Sequence, residues 1–296
     1  MLRKWNLSIL RKATMYIKTE SYTNCFLVKG VGNVYMGGLK LNGSSNMLNV
    51  SVNPEDQTIL SLGKVRPVKE LDLAAPVKGT VYGVLLNNNE DLDAYKISFN
   101  EKPYDAPPKA PVLYIKPRNT YSGHLFGIPV PEKAEELSMG GALGVVISKK
   151  ASNVAEVQAM NYVAGYTIVN DVSIPHKDFY RPAVNKKARD GFCPMGPWIL
   201  EKDAVNDVHS LTVSVFINNE LKQKTYLNQM VRSVSGLIAE ISEFMTLNEG
   251  DVVLVGVSSN PPLAKIGDTV TIKIEEIGEL ENKLVPELEW MAGVKG

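Results

Sequence analysis

The chain has 296 residues, and its 32 lysine and arginine residues balance 32 aspartate and glutamate residues, so the formal net charge is zero. Hydrophobic residues make up 44% and charged residues 22%, as in ordinary globular proteins, and the lack of a basic excess argues against nucleic-acid binding. The two cysteines are far apart and form no CxxC pattern, which favours a reducing, cytoplasmic setting over a disulfide scaffold.

The amino terminus mixes basic residues with short apolar runs. No stretch of the chain reaches the roughly 18 consecutive apolar residues that a membrane span needs, so no membrane association is expected. Arg11 and Lys12 interrupt the first apolar run early, which argues against a secretory signal. Residues 1–19 are therefore expected to be a poorly ordered leader, or extra residues before a true start at Met15. Residues 20–72 alternate short apolar runs with Gly, Asn and Ser turns, and this pattern predicts a small amino-terminal β domain.

A larger domain is predicted for residues 73–296. The boundary falls in the Pro- and charge-rich stretch KVRPVKELDLAAPVKG. Buried strands are predicted at VYGVLLN and LGVVIS, further strands at VLYI and YTIVNDVSI, and a hairpin where LTVSVFI and LKQKTYL flank Asn218 and Asn219.

Two helices are predicted in this larger domain. Asn153 and Glu156 have the spacing of a capping box, and the helix that follows is expected to end at Gly165. Residues 228–246 have apolar side chains at helical spacing and predict an amphipathic helix whose stripe belongs to the core. Many strands with only two clear helices predict a β-rich α+β fold.

Five segments, in this order, resemble the fumarylacetoacetate hydrolase family: LGVVISK, GYTIVNDVS, DGFCPMGPWIL, GDVVLVG and IGDTVTIKIEEIGELEN. The resemblance implies a mixed β-sandwich roll preceded by a small amino-terminal β domain. The phrases KAPVLYIKPRNT, FYRPAVNKKARDGFCP and SEFMTLNEGD resemble the amino-terminal half, or separate first subunit, of isomerase/decarboxylases of homoprotocatechuate (4-hydroxyphenylacetate) degradation. Such proteins act on 2-hydroxyhepta-2,4-diene-1,7-dioate or its precursor 5-oxopent-3-ene-1,2,5-tricarboxylate.

The resemblance also implies a metal site, from which this sequence departs. In the family a divalent ion, usually Mg²⁺ or Mn²⁺, acts as a Lewis acid and is held by a Glu-x-Glu pair and by the Asp of an NDxS element. Here Gly140 and Ala142 occupy the glutamate positions, so Asp171 is the one remaining ligand candidate. A single carboxylate cannot hold magnesium tightly, and the sequence therefore predicts a degenerate metal site. Glu135 and Glu136 lie several residues earlier and are expected in a solvated loop.

A basic pocket for a doubly anionic 2-oxo or 2-hydroxy dienoic acid is the further implication of the resemblance. Lys187 falls at the position of the family lysine, and Lys187 and Asp171 are candidate catalytic residues. His176 and Tyr180 are candidates for proton transfer. The candidate substrate-binding residues are Lys116, Arg118, Arg181 and Arg189.

Several of these residues also have a structural interpretation. Asp171 could cap a turn or pair with a nearby arginine. Arg181 and Arg189 could form ion pairs with Asp178 and Asp190.

Two further residues have such alternatives. Lys187 or its neighbour Lys186 could be a solvated loop charge. Cys193 lies between an aromatic residue and a proline, which favours a buried small hydrophobe over a nucleophile.

Two functional hypotheses follow. The chain could be an isomerase and decarboxylase subunit with a basic, metal-poor pocket, or a catalytically silent partner of a metal-bearing homologue. Binding of a small acid without chemistry is a third possibility. The resemblance implies a homodimer or an association with a homologous second subunit.

Overall fold

The protein is described from a computed structural model, which covers residues 34–61, 64–97, 99, 106–176, 183–258 and 260–294. The predicted leader at residues 1–19 lies outside the described residues, as does the strand predicted at CFLV. None of the described helices is long and apolar enough to cross a membrane.

The amino-terminal strands form an antiparallel meander. They are β1 (Tyr35–Leu41), β2 (Leu48–Asn53), β3 (Thr58–Ser61) and β4 (Lys64–Pro67), followed by a 3₁₀ turn (Val68–Glu70) and β5 (Leu73–Ala74). This meander continues into the rest of the molecule, because Gly37 of β1 pairs with Leu200 of a later strand. The division into domains at residue 72 stays a prediction.

The remaining strands are short and follow one another along the chain. They are β6 (Val81–Leu85), β7 (Val112–Lys116), β8 (Tyr121–Ser122), β9 (Gly127–Val130), β10 (Leu137–Ser138), β11 (Gly141–Ile147), β12 (Val163–Asn170), β13 (Cys193–Glu201), β14 (Thr212–Ile217), β15 (Glu220–Tyr226), β16 (Val252–Leu254), β17 (Leu263–Ala264), β18 (Thr269–Ile274) and β19 (Gly278–Pro286). The predicted strands at VYGVLLN, VLYI and LGVVIS are confirmed. The strand predicted at YTIVNDVSI is confirmed up to Asn170, where β12 ends. The predicted hairpin is also confirmed, with Asn218 and Asn219 at φ values of 52° and 67° in its turn.

Within the described residues these strands form three sheets. The largest has 12 strands in the order β4-β3-β2-β1-β13-β12-β11-β16-β6-β7, with β5 beside β1 and β8 beside β13. A 5-stranded sheet has the order β15-β14-β18-β19-β9, and β10 pairs with β17. The strand β7 therefore lies at one end of the large sheet, while β11 and β12 lie inside it.

The described α-helices are few and short. They are α1 (Asn89–Tyr95), α2 (Val184–Lys187), α3 (Val234–Phe244) and α4 (Glu287–Val294). The amphipathic helix predicted over residues 228–246 is confirmed as α3, although it begins later than predicted. Ser233 caps α3, since its hydroxyl accepts a hydrogen bond from the Gly236 amide at 3.0 Å. Val234, Leu237, Ile238 and Ile241 of the predicted apolar stripe are buried, whereas Val231 is 36% and Phe244 is 64% exposed.

The helix predicted after Asn153 is wrong. A 3₁₀ helix occupies Glu156–Tyr162, and Gly165 lies inside β12 instead of ending a helix. Asn153 adopts a φ of 53°, which is not the extended conformation of an N-cap residue. Glu156 accepts a hydrogen bond from Ser233 at 3.3 Å, so the carboxylate contacts the start of α3 and does not close a capping box.

The large sheet packs face to face against the five-stranded sheet. A Cβ atom on Gly141 of β11 would lie 2.7 Å from Val215 of β14, so a side chain at this position would collide with the opposite sheet. The Trp198 indole of β13 crosses the same interface and donates a hydrogen bond to the Ile277 carbonyl at 2.9 Å. These contacts confirm the predicted β-rich sandwich and bring the start of β11 under the five-stranded sheet.

Candidate functional site

The end strand β7 supplies two side chains to one face of the sheet. Tyr114 and Lys116 are two residues apart, and alternate residues of a strand point to the same side. Gly83 of β6 pairs directly with Tyr114, and a Cβ on this glycine would lie 2.0 Å from the tyrosine ring. The absence of a side chain at Gly83 therefore leaves the space that the Tyr114 ring occupies.

Asp171 directly follows β12 and lies beneath this face. Its backbone amide donates to the Gly140 carbonyl at 2.8 Å, which fixes the first residue after the strand. Its side chain is only 1% exposed and contacts three others. Lys116 Nζ is 2.9 Å from Oδ1, Lys187 Nζ is 2.7 Å from Oδ2, and the Tyr114 hydroxyl donates to Oδ2 at 2.5 Å. The Oδ1 atom has the ion pair with Lys116 but accepts no hydrogen bond from the described residues.

Lys116 is the buried cation of this cluster, with a side chain that is 0% exposed. Its ammonium donates to the carbonyl oxygens of Val172 at 3.1 Å and Lys187 at 2.8 Å. Together with the Asp171 carboxylate, these oxygens give the ammonium three polar partners. The two hydrogen bonds and the ion pair offset the cost of removing this charge from water.

Lys187 is the cation that reaches the solvent. It ends the short helix α2, and its side chain is 17% exposed. Its ammonium also lies 4.7 Å from the centroid of the Tyr114 ring, which is within the range of a cation–π interaction. The Tyr114 ring and the Asp171 carboxylate thus hold the Lys187 ammonium between them.

Burial and charge set the protonation of the cluster. Burial alone would raise the pKa of Asp171, but the ammonium groups of Lys116 and Lys187, with the hydrogen bonds from Lys187 and Tyr114, hold that pKa well below its usual range. Burial raises the pKa of Tyr114 well above its usual value, and the negative charge of Asp171 raises it further. Asp171 is therefore a carboxylate and Tyr114 a neutral hydroxyl at neutral pH. Two ammonium groups against one carboxylate give the cluster a net positive charge.

The family's metal does not fit these residues. A Cβ on Gly140 would lie 2.6 Å from the Asp171 carbonyl oxygen, so the backbone around this position would have to move to admit a glutamate. Ala142 is fully buried in an apolar cluster that includes Cys193 and Val169. Among the described residues no group of three or more His, Cys, Asp or Glu side chains could hold a metal ion. Both Asp171 oxygens already contact ammonium groups, so this carboxylate is occupied by the protein's own cations.

The remaining sequence candidates lie in different surroundings. Arg118 is exposed, and its guanidinium donates to the Lys78 carbonyl at 3.1 Å. Arg189 forms an ion pair with Glu287 of α4 at 2.8 Å. Arg189 therefore does form an ion pair, but with Glu287 and not with Asp190, the partner considered from the sequence.

Arg189 and Asp190 instead line a cavity of about 270 Å³ with Trp290. His176 is half-buried in the chain that follows Asp171. Tyr180 and Arg181, with the expected partner Asp178, lie outside the described residues. The structure therefore brings together Lys116, Asp171 and Lys187 from the predicted set, and the roles of all these residues stay predictions.

Two structural expectations are confirmed. Glu135 and Glu136 are exposed in the loop between β9 and β10. Cys193 is fully buried, and burial raises the pKa of its thiol to about 12, so it is a small core residue.

Tyr114 is the residue that the sequence reasoning missed. The available signal was its spacing of two from Lys116 within the predicted strand VLYI, because this spacing places both side chains on one face.

The chain belongs to the fumarylacetoacetate hydrolase family. Residues 80–285 match the family described as "Fumarylacetoacetate (FAA) hydrolase C-terminal", which confirms the resemblance. The chain is 40% identical over 213 residues to the 4-hydroxyphenylacetate degradation bifunctional isomerase/decarboxylase of Escherichia coli, a match that covers 72% of this chain and 48% of that protein. The chain thus spans about half the length of this relative.

Two further relatives place the chain among proteins named for isomerisation. It is 38% identical over 190 residues to a mitochondrial oxaloacetate tautomerase of Xenopus laevis, over 60% of this chain and 59% of the relative. The crystal structure of 2-hydroxyhepta-2,4-diene-1,7-dioate isomerase from Mycobacterium marinum superposes with a TM-score of 0.66 at 27% identity, over 85% of this chain and 98% of that structure. These similarities confirm the predicted fold class.

Proposed function

We propose that the chain is an isomerase that moves a proton within an anionic 2-hydroxy or 2-oxo dienoic acid during homoprotocatechuate degradation. The expected substrate is 2-hydroxyhepta-2,4-diene-1,7-dioate, and 5-oxopent-3-ene-1,2,5-tricarboxylate is the expected substrate of a second, decarboxylating activity. The observation that carries the proposal is the convergence of Lys187 and Tyr114 on one oxygen of Asp171, at 2.7 and 2.5 Å.

A proton shift suits this cluster better than a decarboxylation does. An isomerase must stabilise a transient enolate and carry a proton between carbon atoms, which a cation and a hydroxyl can do. Decarboxylation also needs a strong electron sink at the neighbouring carbonyl carbon, and the residues at Gly140 and Ala142 offer no metal ligand for one. The names of the Xenopus laevis and Mycobacterium marinum relatives both describe an isomerisation, which supports the same choice.

The four residues of the cluster form two pairs. Lys187 and Tyr114 are the outer pair, and Asp171 and Lys116 are the inner pair. Lys187 would bind a carboxylate or enolate oxygen of the substrate with the ammonium hydrogens that Asp171 does not use. Tyr114 would deliver a proton, because its neutral hydroxyl lies on the same Asp171 oxygen as the Lys187 ammonium. Asp171 and Lys116 are buried, so they would orient the outer pair and balance its charge without touching the substrate.

A catalytically silent partner subunit is the second candidate. The observation in its favour is that the Asp171 side chain is 1% exposed and already contacts Lys116, Lys187 and Tyr114. Such a saturated cluster could also serve only to stabilise the fold. In this case a second, metal-bearing homologue would hold the active site, and this chain would support it by association.

The experiment compares the rate of substrate turnover by the purified chain alone, by the chain with excess EDTA, and by the chain mixed with a homologous metal-bearing subunit. The substrate 2-hydroxyhepta-2,4-diene-1,7-dioate absorbs ultraviolet light through its conjugated dienol, so its loss can be followed directly. Turnover by the chain alone, unaffected by EDTA and lost in Lys187→Gln, supports the isomerase. Turnover that appears only with the second subunit, and survives Lys187→Gln, supports the silent partner instead.

A further inference from the structure

The turn that follows β7 is held at both ends. It consists of the 3₁₀ residues Arg118–Thr120, and the Thr120 hydroxyl donates a hydrogen bond to the Pro117 carbonyl at 2.6 Å. The next strand, β8, pairs with β13 in the large sheet. Asn119, in the middle of this turn, therefore has a fixed position relative to Tyr114 on β7.

Asn119 makes three hydrogen bonds to the stretch of chain directly after Lys187. Its side-chain amide donates to the Ala188 carbonyl at 3.1 Å and to the Asp190 carboxylate at 2.6 Å, which uses both of the amide hydrogens. Its backbone carbonyl accepts a hydrogen bond from the Gly191 amide at 3.1 Å. One residue of the turn after β7 thus holds the end of the segment that carries Lys187.

The carbonyl groups at the end of α2 need donors from outside the helix, because the last carbonyls of a helix have no partner within it. The Lys186 carbonyl accepts from a backbone amide at 3.0 Å, and the Lys187 carbonyl accepts from the Lys116 ammonium at 2.8 Å. Ala188 caps this end of α2, and Asn119 donates to its carbonyl. Each of these three carbonyls therefore has its own donor, and Asn119 supplies the last of them.

We propose that Asn119 is a positioning residue that keeps the Lys187 ammonium in its place beside Tyr114, and this inference rests on the proposed isomerase function. The ammonium lies 4.7 Å from the centroid of the Tyr114 ring, although the two residues belong to different segments of the chain. Asn119 follows the strand of one residue and contacts the chain directly after the other, so it joins the two segments. Displacement of a reacting group by about 1 Å can lower a rate by about 10²-fold.

The exposure of Asn119 allows this role to be separated from a role in stability. Asn119 and Asp190 are both exposed, so water can replace the hydrogen bonds between them when one partner is changed. A substitution at Asn119 should therefore leave the melting temperature within about 2 °C of that of the wild type. The position of Lys187 is more sensitive, because its segment is anchored by these few contacts.

The test is Asn119→Asp, which keeps the size of the side chain but replaces the amide donor with a carboxylate facing Asp190. The kcat for 2-hydroxyhepta-2,4-diene-1,7-dioate should fall by about 10–100-fold, while KM should change by less than about threefold. The matched control is Asn46→Asp, the same chemical change at an exposed asparagine in the turn between β1 and β2, and its kcat should equal that of the wild type.

The exchanged pair, Asn119→Asp with Asp190→Asn, restores the contact with its polarity reversed. The new amide at position 190 can donate to the new carboxylate at position 119, so the connection between the two segments returns. This double variant should regain a large part of the lost kcat, although the Ala188 carbonyl stays without its donor. Recovery of activity by the exchange shows that the contact itself, and not only the identity of residue 119, supports turnover.

Hydrogen–deuterium exchange followed by mass spectrometry gives a measurement that does not depend on turnover. In Asn119→Asp the backbone amides of residues 184–192 should exchange faster than in the wild type, because the end of α2 has lost its donor. The amides of β11, inside the large sheet, should exchange at the wild-type rate. The exchanged pair should slow the exchange of residues 184–192 again.

Three results overturn this role for Asn119. They are a wild-type kcat in Asn119→Asp, an exchanged pair no more active than Asn119→Asp, and unchanged exchange in residues 184–192. A wild type with turnover and an unaffected variant refutes the positioning role and leaves the isomerase intact. A wild type without turnover removes the isomerase, and the exchange rates then decide alone: faster exchange in Asn119→Asp supports the anchoring of the Lys187 segment, and unchanged exchange refutes it.

Discussion

The buried ion pair between Lys116 and Asp171 allows one prediction to be worked through. Lys116→Met keeps most of the side-chain volume but removes the ammonium. Asp171 then loses its fully buried counter-ion, and the carbonyl oxygens of Val172 and Lys187 lose this donor. Removing one partner of a buried ion pair typically costs about 3–5 kcal/mol, because the other charge stays buried. At roughly 2–4 °C per kcal/mol for a protein of this size, the melting temperature should fall by about 6–20 °C.

Thermal melting followed by circular dichroism measures this loss, and urea unfolding gives the free energy of unfolding. Lys150→Met is the matched control, since Lys150 is exposed and its replacement should change stability by less than about 1 kcal/mol. The double variant Lys116→Met with Asp171→Asn removes both charges. It should be more stable than the sum of the single effects predicts, by a coupling energy of about 1–3 kcal/mol.

The same variant gives a pH dependence with a defined sign. A carboxyl with a depressed pKa stabilises the folded state above its unfolded pKa, and this contribution is lost as the pH falls through the folded pKa. In the wild type the folded pKa of Asp171 is far below the usual 3.8, so this loss begins near the unfolded pKa and is complete only under strongly acidic conditions. Without Lys116 the pKa of Asp171 rises, and the carboxyl is neutralised at a higher pH.

The difference in melting temperature between Lys116→Met and the wild type should therefore shrink between pH 7 and about pH 4. Two results would refute the reasoning. One is a Lys116→Met protein that melts within about 2 °C of the wild type at neutral pH. The other is a difference in melting temperature that grows as the pH falls.

Three more predictions follow from the site. Tyr114→Phe keeps the ring beside Lys187 but removes the proposed proton donor, so kcat should fall by about 10²–10⁴-fold, and an unchanged kcat would exclude this role for the hydroxyl. Gly140→Glu with Ala142→Glu should lower the melting temperature and bind no Mn²⁺ by calorimetry, because a Cβ at position 140 meets the backbone at 2.6 Å; a saturable Mn²⁺ isotherm would contradict this. Cys193 should resist iodoacetamide in the native protein at about pH 8 and react after unfolding, and rapid native labelling seen by mass spectrometry would show that the thiol is accessible.

The sequence by itself determined the family and most of the strands, and it predicted a degenerate metal site. Five segments in a fixed order carry the family resemblance, and strands such as β11 are recognisable because continuous runs of β-branched residues can be read locally. The absence of glutamates at positions 140 and 142 is likewise visible in the sequence. The helix predicted after Asn153 failed because its local pattern did not include the contact between Glu156 and Ser233, which are 77 residues apart.

Only the tertiary structure decided which candidates belong to one site. Tyr114 and Asp171 are 57 residues apart, and their side chains meet although three strands, β11, β16 and β6, lie between β12 and β7 in the large sheet. The tertiary structure also separates the predicted cations. Lys116 is buried and forms an ion pair with Asp171, whereas Arg189 forms an ion pair with Glu287 on α4. The spacing of residues in the sequence determines which face of a strand each side chain occupies. Pairing between distant strands determines which side chains become its neighbours, and the chemistry of Lys187 depends on those neighbours.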